Sequence, residues 1–250
     1  MFLTDSKQLN IAKTFECGQC FRWNADENGV YHTYNADVYE ENSKVYIESD
    51  KDLEYWVSYF DLDEDYEQYN DIFDSIDYLK KCREYGQGIR ILRQDPFEAL
   101  ISFIISQCNN IPRIKGIVET LCKGGPFPDA CCLKDMDLTD LHAGYRTPYI
   151  LNAAREVSDG TLKLDSLRTC SYEEAKNRLL QLNGVGEKVA NCAVLYGLHH
   201  MEAFPVDVWM KRALKENFPA NFDPKSLGPF AGLAQQYIFY YARQTATDSR

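Results

Sequence analysis

The stretch Leu182-Asn-Gly-Val-Gly-Glu-Lys-Val-Ala-Asn-Cys192 constrains this chain more than any other part of its sequence. It lies between two segments of helical spacing, so Gly184 and Gly186 have to reverse the chain within a few residues. A hairpin of this kind leaves backbone N–H groups free at the start of the second helix, an arrangement that suits a phosphate. An ordinary corner between two helices, with glycine at a C-cap, fits the turn alone equally well. The full spacing Leu-x-Gly-Val-Gly-x-Lys-Val-Ala is more specific, because it puts Lys188 in the first turn of the second helix. A cation is disfavoured at that positive end of the helix dipole. Partial burial there would favour the uncharged amine that a nucleophile needs, whereas most lysines are simply solvated surface groups.

Two periodicities divide the rest of the chain. Residues 30–34 and 44–48 are short, rich in β-branched and aromatic side chains, and punctuated by the polar segments 24–29 and 35–37, so they read as strands. After about residue 53 helical spacing takes over. Asp95-Pro96 opens a helix with apolar residues at Phe97, Leu100, Ile101, Ile104 and Ile105. Ile114, Ile117, Val118 and Leu121 repeat the stripe, and Ser171 with Glu174 makes a capping box. Further helices are expected at about 187–197, 208–216 and 230–242. The expected fold class is α+β: a small antiparallel β domain with flanking helices over 1–90 and a larger all-α domain over 91–250.

Ala203-Phe-Pro-Val-Asp-Val-Trp-Met-Lys-Arg212 places Asp207 just before a helix. The plain reading of Asp207 is an N-cap. A functional reading keeps the cap and adds a carboxylate beside Lys188, able to stabilise positive charge and move protons.

The net charge of −11 argues against strong non-specific binding to DNA. The excess is local, however. Residues 1–90 carry 20 acidic and 9 basic side chains, and residues 91–250 carry 18 of each. The acidic side chains are densest at 61–77, which reads as a solvated face, and screening confines its field to about 10 Å at moderate salt. A basic strip on the remainder is compatible with this. The first residues lack a basic stretch followed by an apolar run, and no apolar run is long enough to span a membrane, so a soluble cytoplasmic protein is expected, nucleoid-associated if bacterial. Nine cysteines without an export signal read as reduced thiols. Cys17 and Cys20 form a CxxC with no second pair at zinc spacing, and no cysteine follows Cys192 to build an iron–sulfur loop.

The hairpin and the Pro205-Val206-Asp207 segment together resemble the helix-hairpin-helix, Gly/Pro-rich-loop, aspartate signature of DNA glycosylases. Within that superfamily the chain is similar to the 8-oxoguanine DNA glycosylase branch. GQCFRW at 18–23, ISFIISQCNNIPRI at 101–114, GYRTPYI at 144–150 and AGLAQQYIF at 231–239 carry the likeness, which spans about residues 16–240. It implies a sheet domain resembling half of the TATA-binding protein, joined to a helical catalytic domain. The implied partner is double-stranded DNA containing oxidised guanine, acted on by a monomer that flips the base out of the duplex.

The resemblance also implies roles, residue by residue. Lys188 and Asp207 are the implied catalytic pair. Phe239 and Cys192 would lie on the two faces of the flipped base, although core packing explains both equally simply. Gln235 would read its Watson–Crick edge. The Gly18 carbonyl would accept from the N7 hydrogen of 8-oxoguanine and be left unpaired by guanine, a discrimination of about 1–3 kcal/mol. As a plain residue, Gly18 reads as a strand glycine at a bulge. Arg113, Tyr145 and Arg146 match the residues that handle the opposite cytosine and the gap in the helix. Cys108 stands where the family has asparagine, with Asn109 beside it, so selectivity for opposite cytosine is expected to be relaxed. Trp209 stands where better-known members have a phosphate-contacting histidine. No cofactor is required, but a structural cation against the carbonyl of Val185 is implied. Two other readings share the motif: a glycosylase of the same superfamily for other damaged bases, and a non-catalytic helix-hairpin-helix DNA-binding module.

Overall fold

The computed structural model describes residues 1–247; the last three residues of the expected helical domain lie outside the described residues. Five strands, β1 (Phe2–Asp5), β2 (Asn24–Ala25), β3 (Tyr31–Thr33), β4 (Ala36–Glu41) and β5 (Lys44–Ser49), form one antiparallel sheet in the order β1-β5-β4-β3-β2. Glu41 pairs with Lys44, and the intervening Asn42 and Ser43 have φ of 52° and 61°. That is the two-residue turn whose twist matches paired strands. Alternation then buries Ala36, Val38, Val45 and Ile47 on one face.

One expectation is corrected here. Residues 35–37 do not simply separate strands: Ala36 and Asp37 open β4, because pairing with Ser49 and Glu48 and the burial of Ala36 outweigh the poor strand propensity of Asp37. The polar break is confined to Tyr34 and Asn35.

The helices begin where their caps predict. Asp95 accepts from Glu98 N and caps Pro96–Ile105, while Asn110 accepts from Arg113 N and caps Ile111–Cys122. The capping box at Ser171 and Glu174 is present at the start of Tyr172–Leu180. Helices Glu187–Tyr196, Val208–Asn217 and Ala231–Thr247 follow, the last running past the expected end at 242. Pro96–Ile105 packs on Glu187–Tyr196 and is buried along nearly its whole length, so it is the central helix of the body. Ala231–Thr247 packs against Asp77–Tyr85 and Val208–Asn217.

Two apolar cores result. The smaller lies under the sheet, where Phe15 stacks on Trp23 at 4.5 Å between Leu9, Val38, Ile47 and Phe60. The larger fills the helical body and includes Phe73, Leu79 and Cys82. All nine cysteines are unpaired. Among the described residues no helix is long and apolar enough to cross a membrane.

The segment at 61–77 is not wholly a solvated face. Asp61 is 3% exposed and ties the N-terminal region to the helical body. Its carboxylate meets Arg93 at 2.7 Å and His199 Nε2 at 3.3 Å, and accepts from the Tyr66 hydroxyl at 2.7 Å. Burial alone would push this carboxyl up, but His199, Tyr66 and Arg93 outweigh it and hold the group at about 2. Because the folded value lies below the ordinary value of 3.8, the resulting stability is complete above about pH 4 and is lost as pH falls toward 2. The difference corresponds to about 2 kcal/mol. Urea melts are therefore expected to show Asp61→Asn less stable than wild type by about this much at pH 7, with the gap closing between pH 4 and pH 2.

Candidate active site

A cleft of about 760 Å³ opens on the helical body. The hairpin forms one wall. Gly184 has φ +81°, and a β-carbon built on it would lie 2.2 Å from the ring of Tyr149, so this turn needs glycine both for its backbone conformation and for the close approach. Gly186 differs: it is the extended N-cap of Glu187–Tyr196, with φ −101° and no side-chain cap. The tight reversal expected of both glycines thus rests on Gly184, while Gly186 leaves open space and uncapped amides in front of the helix. Gly184→Ala is expected to lower stability by about 3 kcal/mol through combined strain and overpacking, measured as a shift of the urea midpoint.

Lys188 is half-buried on the cleft wall. Its Nζ donates to Ser106 Oγ at 3.0 Å and lies 5.2 Å from the centre of the Phe103 ring. Ser106 is itself buried and donates to the Phe103 carbonyl at 2.8 Å, which fixes the hydroxyl so that its lone pairs face the amine. Asp207 lines the same cleft and caps Val208–Asn217, with Oδ1 accepting from Met210 N at 2.9 Å. The cap reading and the cleft reading therefore coexist. Cys192 lies one turn beyond Lys188 and is buried. Burial pushes its thiol up; Lys188 opposes that and Asp207 reinforces it, so both charges act at this position.

Gly18 does not lie in a strand, contrary to the bulge reading. It follows helix Ile11–Glu16 with φ +82°, and a β-carbon there would come within 3.3 Å of both the Phe239 ring and Ile111 Cδ1. Gly18 and Phe239 thus share one end of the cleft. Gln235 does not line the cleft: it is buried, and its Oε1 lies 3.2 Å from the Tyr196 hydroxyl, whose one proton has its nearer acceptor in Gln236 Oε1 at 2.6 Å.

At the rim, Asn109 and Trp209 line the cleft. Asn109 is occupied locally, with Nδ2 donating to the Ile105 carbonyl at 3.3 Å and Oδ1 accepting from Asn110 N. Cys108 is exposed at φ +47°. Arg113 is exposed, and its Nη2 donates to the His142 carbonyl at 3.4 Å. Tyr145 is 51% exposed. Arg146 is buried instead, donating to the carbonyls of Gln107, Cys108 and Ala143 while its guanidinium lies 4.5 Å from the Tyr145 ring centre. In this state Arg146 holds the 107–108 loop. Val185 is buried in the hairpin.

Lys211 and Arg243 join Lys188 in the lining, against Glu187 and Asp207. The lining thus carries three basic side chains against two acidic ones, in contrast to the acidic excess of residues 1–90. Ser106, Phe103, Ile111, Lys211 and Arg243 are among the cleft residues that sequence reasoning missed. For Ser106 the available signal was a serine one turn after Phe103, directly after the apolar run Phe103–Ile105 that ends the helix. Among the described residues, no group of three His, Cys, Asp or Glu side chains is placed to hold a metal.

Comparisons with known proteins converge. Residues 1–100 match the family model for the N-terminal domain of 8-oxoguanine DNA glycosylase. An N-glycosylase/DNA lyase of Saccharomyces cerevisiae is 30% identical, covering 86% of this chain and 69% of that protein. Among solved structures, MBOgg1 with a low-affinity DNA ligand superposes with a TM-score of 0.90 at 35% identity, over 98% of this chain and 96% of the other. An 8-oxoguanine glycosylase/lyase from Clostridium acetobutylicum, bound to double-stranded DNA with cytosine opposite 8-oxoguanine, superposes at 0.88 with 33% identity over 98% of both chains.

Proposed function

The chain belongs to the 8-oxoguanine DNA glycosylase family of N-glycosylase/DNA lyases, and on that premise we propose that it excises 8-oxoguanine from duplex DNA with Lys188 as nucleophile and then nicks the strand. The observation that carries this reading is the placement of the Lys188 amine, 3.0 Å from the fixed hydroxyl of Ser106, on a cleft wall shared with Asp207. A non-catalytic DNA-binding module has no need of a lysine held in this way.

The chemistry follows from these groups. A base inside a duplex is out of reach, so it is extruded into the cleft. Gly18 and Phe239 meet at one end of the cleft, where Phe239 stacks on the base; the opposite face is assigned to Cys192, which is buried just outside the lining and has to be reached by the entering base. The Gly18 carbonyl accepts from the N7 hydrogen of the lesion, and Gln235 turns from Tyr196 toward the Watson–Crick edge. The Nζ lone pair forms a bond to C1′ as the C1′–N9 bond breaks and the base departs with its electron pair, taking up a proton. Asp207 stabilises the positive charge that develops at C1′. Loss of an amine proton and opening of the sugar ring give a Schiff base. Removal of a 2′ proton then expels the 3′ oxygen with its phosphate.

The uncapped amides of the hairpin at Gly184 and Gly186, together with Lys211, hold the backbone phosphates, and the Trp209 indole N–H donates to another. Arg113, Tyr145 and Arg146 meet the opposite strand, which requires Arg146 to leave the loop carbonyls it now holds. Asn109 and Cys108 face the opposite base, and the weak hydrogen bonding of a thiol relaxes the choice of that base. The steps written here are redox-neutral and call for no redox cofactor; a structural cation at the hairpin would rest on backbone carbonyls such as that of Val185.

Ser106 is a positioning residue in this scheme. Ser106→Ala is expected to slow single-turnover excision by about tenfold while leaving the duplex Kd unchanged, since the hydroxyl touches the amine and not the DNA. The reading itself is tested by incision of a duplex carrying one 8-oxoguanine opposite cytosine, compared with an undamaged duplex. Incision of the lesion strand alone supports it, and equal or absent incision of both refutes it.

A further inference from the structure

A buried polar chain stands behind the end of the cleft where Gly18 meets Phe239. Gln236 is wholly buried in Ala231–Thr247, three residues before Phe239 and therefore its neighbour on that helix. Its Nε2 donates to the Cys17 carbonyl at 3.0 Å, and its Oε1 accepts from the Tyr196 hydroxyl at 2.6 Å. Chemistry settles which amide atom faces which partner. A backbone carbonyl can only accept, so the nitrogen faces Cys17 and the oxygen faces Tyr196, whose hydroxyl has to donate. Tyr196 is buried about two turns beyond Lys188 in Glu187–Tyr196, and its ring stacks on Phe103 with 5.3 Å between centres.

Cys17 immediately precedes Gly18, and its carbonyl shares a peptide plane with the Gly18 N–H. On the other side, the Gln19 carbonyl accepts from Gln94 Nε2 at 2.8 Å. The Gln19 side chain is itself buried, donating to the carbonyls of Thr14 and Arg90 and accepting from Leu92 N. Gly18 thus lies between two residues whose carbonyls are each held by a glutamine amide from a distant segment, while it lines the cleft. A glycine takes either sign of φ readily, so the +82° at Gly18 has to be imposed by its neighbours. Gln236 does this from the helix that also carries Phe239, whose ring comes within 3.3 Å of a β-carbon built on Gly18. One helix therefore sets both the stacking ring and the backbone opposite it.

We propose that Gln236, oriented by Tyr196, is a positioning residue for lesion recognition: it holds the Gly18 backbone at the spacing from Phe239 at which the Gly18 carbonyl meets the N7 hydrogen of 8-oxoguanine. The proposal rests on the reading of Gly18 as the group that senses that hydrogen. Without the Gln236 amide the buried Cys17 carbonyl loses its donor, and the backbone at 17–18 shifts to regain one. An abasic sugar presents no base for Gly18 to read, and Lys188 attacks it without this segment. Loss of Gln236 therefore impairs base excision selectively and spares nicking at an abasic site.

Single-turnover assays on three duplexes test this, carrying 8-oxoguanine opposite cytosine, guanine opposite cytosine, or a preformed abasic site. Gln236→Met keeps an unbranched side chain of similar volume and lacks the donor. It is expected to slow 8-oxoguanine excision at least about tenfold, with abasic nicking within about twofold of wild type. Tyr196→Phe removes a single atom and leaves Gln236 without the partner that orients it, so a fall of about threefold with the same selectivity is expected. This milder variant decides the matter if Gln236→Met does not fold. Unchanged excision of 8-oxoguanine, or a parallel fall in abasic nicking, overturns the proposal. Wild-type excision of guanine as fast as of 8-oxoguanine refutes instead the reading of Gly18 on which it rests, so the two failures are told apart.

Discussion

Lys188→Gln is expected to lower excision of 8-oxoguanine by on the order of 10⁴-fold and to remove strand nicking altogether. Glutamine is uncharged and one bond shorter than lysine and keeps the polar, unbranched stem that packs beside Phe103, so the cleft wall is little disturbed. What is lost is the amine lone pair that bonds to C1′. The neighbouring amides and cationic side chains that hold phosphate are untouched, so affinity for the lesion duplex should fall only by the contribution of one charge. A single-turnover assay beside a binding titration separates the two effects: a large fall in rate with a small change in Kd is the expected pair.

Asp207→Asn is expected to slow excision by roughly 10²- to 10³-fold. This substitution is informative because Asp207 has two tasks in the structure. Its Oδ1 caps Val208–Asn217 by accepting from Met210 N, and asparagine caps a helix about as well as aspartate. Stability should therefore change by less than about 0.5 kcal/mol, while the negative charge facing the developing cation disappears. Asp207→Ala removes the cap as well and is expected to cost about 1 kcal/mol. If Asp207 served only as a cap, Asp207→Asn would retain full activity and Asp207→Ala would lose stability alone. The comparison of the two variants by kcat and by thermal melting decides between these roles.

The residues that were legible in the sequence are those whose signal is local. The hairpin, Lys188 and Asp207 sit in two short segments whose spacing sets their geometry, and the caps at Asp95 and Ser171 fix where helices begin. The alternation in β5 and the helical stripe of Pro96–Ile105 were equally plain. What stayed hidden depends on partners far away in the chain. Ser106 meets Lys188 across 82 residues, and nothing in either segment alone announces that contact. Asp61 belongs to an acidic run and reads as solvated, yet His199 and Arg93 bury it from two other segments. Arg146 was expected to face DNA on the strength of resemblance, and its guanidinium donates to the carbonyls of Gln107 and Cys108, which lie in a different segment. Gln235 is likewise engaged with Tyr196, a pairing set by the packing of Ala231–Thr247 and invisible in its own segment. The strand β4 was not anticipated, and its first residues read as a break, because they owe their conformation to pairing with β5.

The proposed chemistry turns on a covalent bond between the Lys188 amine and the sugar of a flipped 8-oxo-2′-deoxyguanosine. Borohydride reduction of the protein mixed with an 8-oxoguanine–cytosine duplex, followed by peptide mapping of the trapped species, tests it most directly. The expected result is a stable protein–DNA adduct whose modified peptide contains Lys188, absent with undamaged duplex and absent in Lys188→Gln. An adduct carried by another residue, or undiminished trapping by Lys188→Gln, would contradict it.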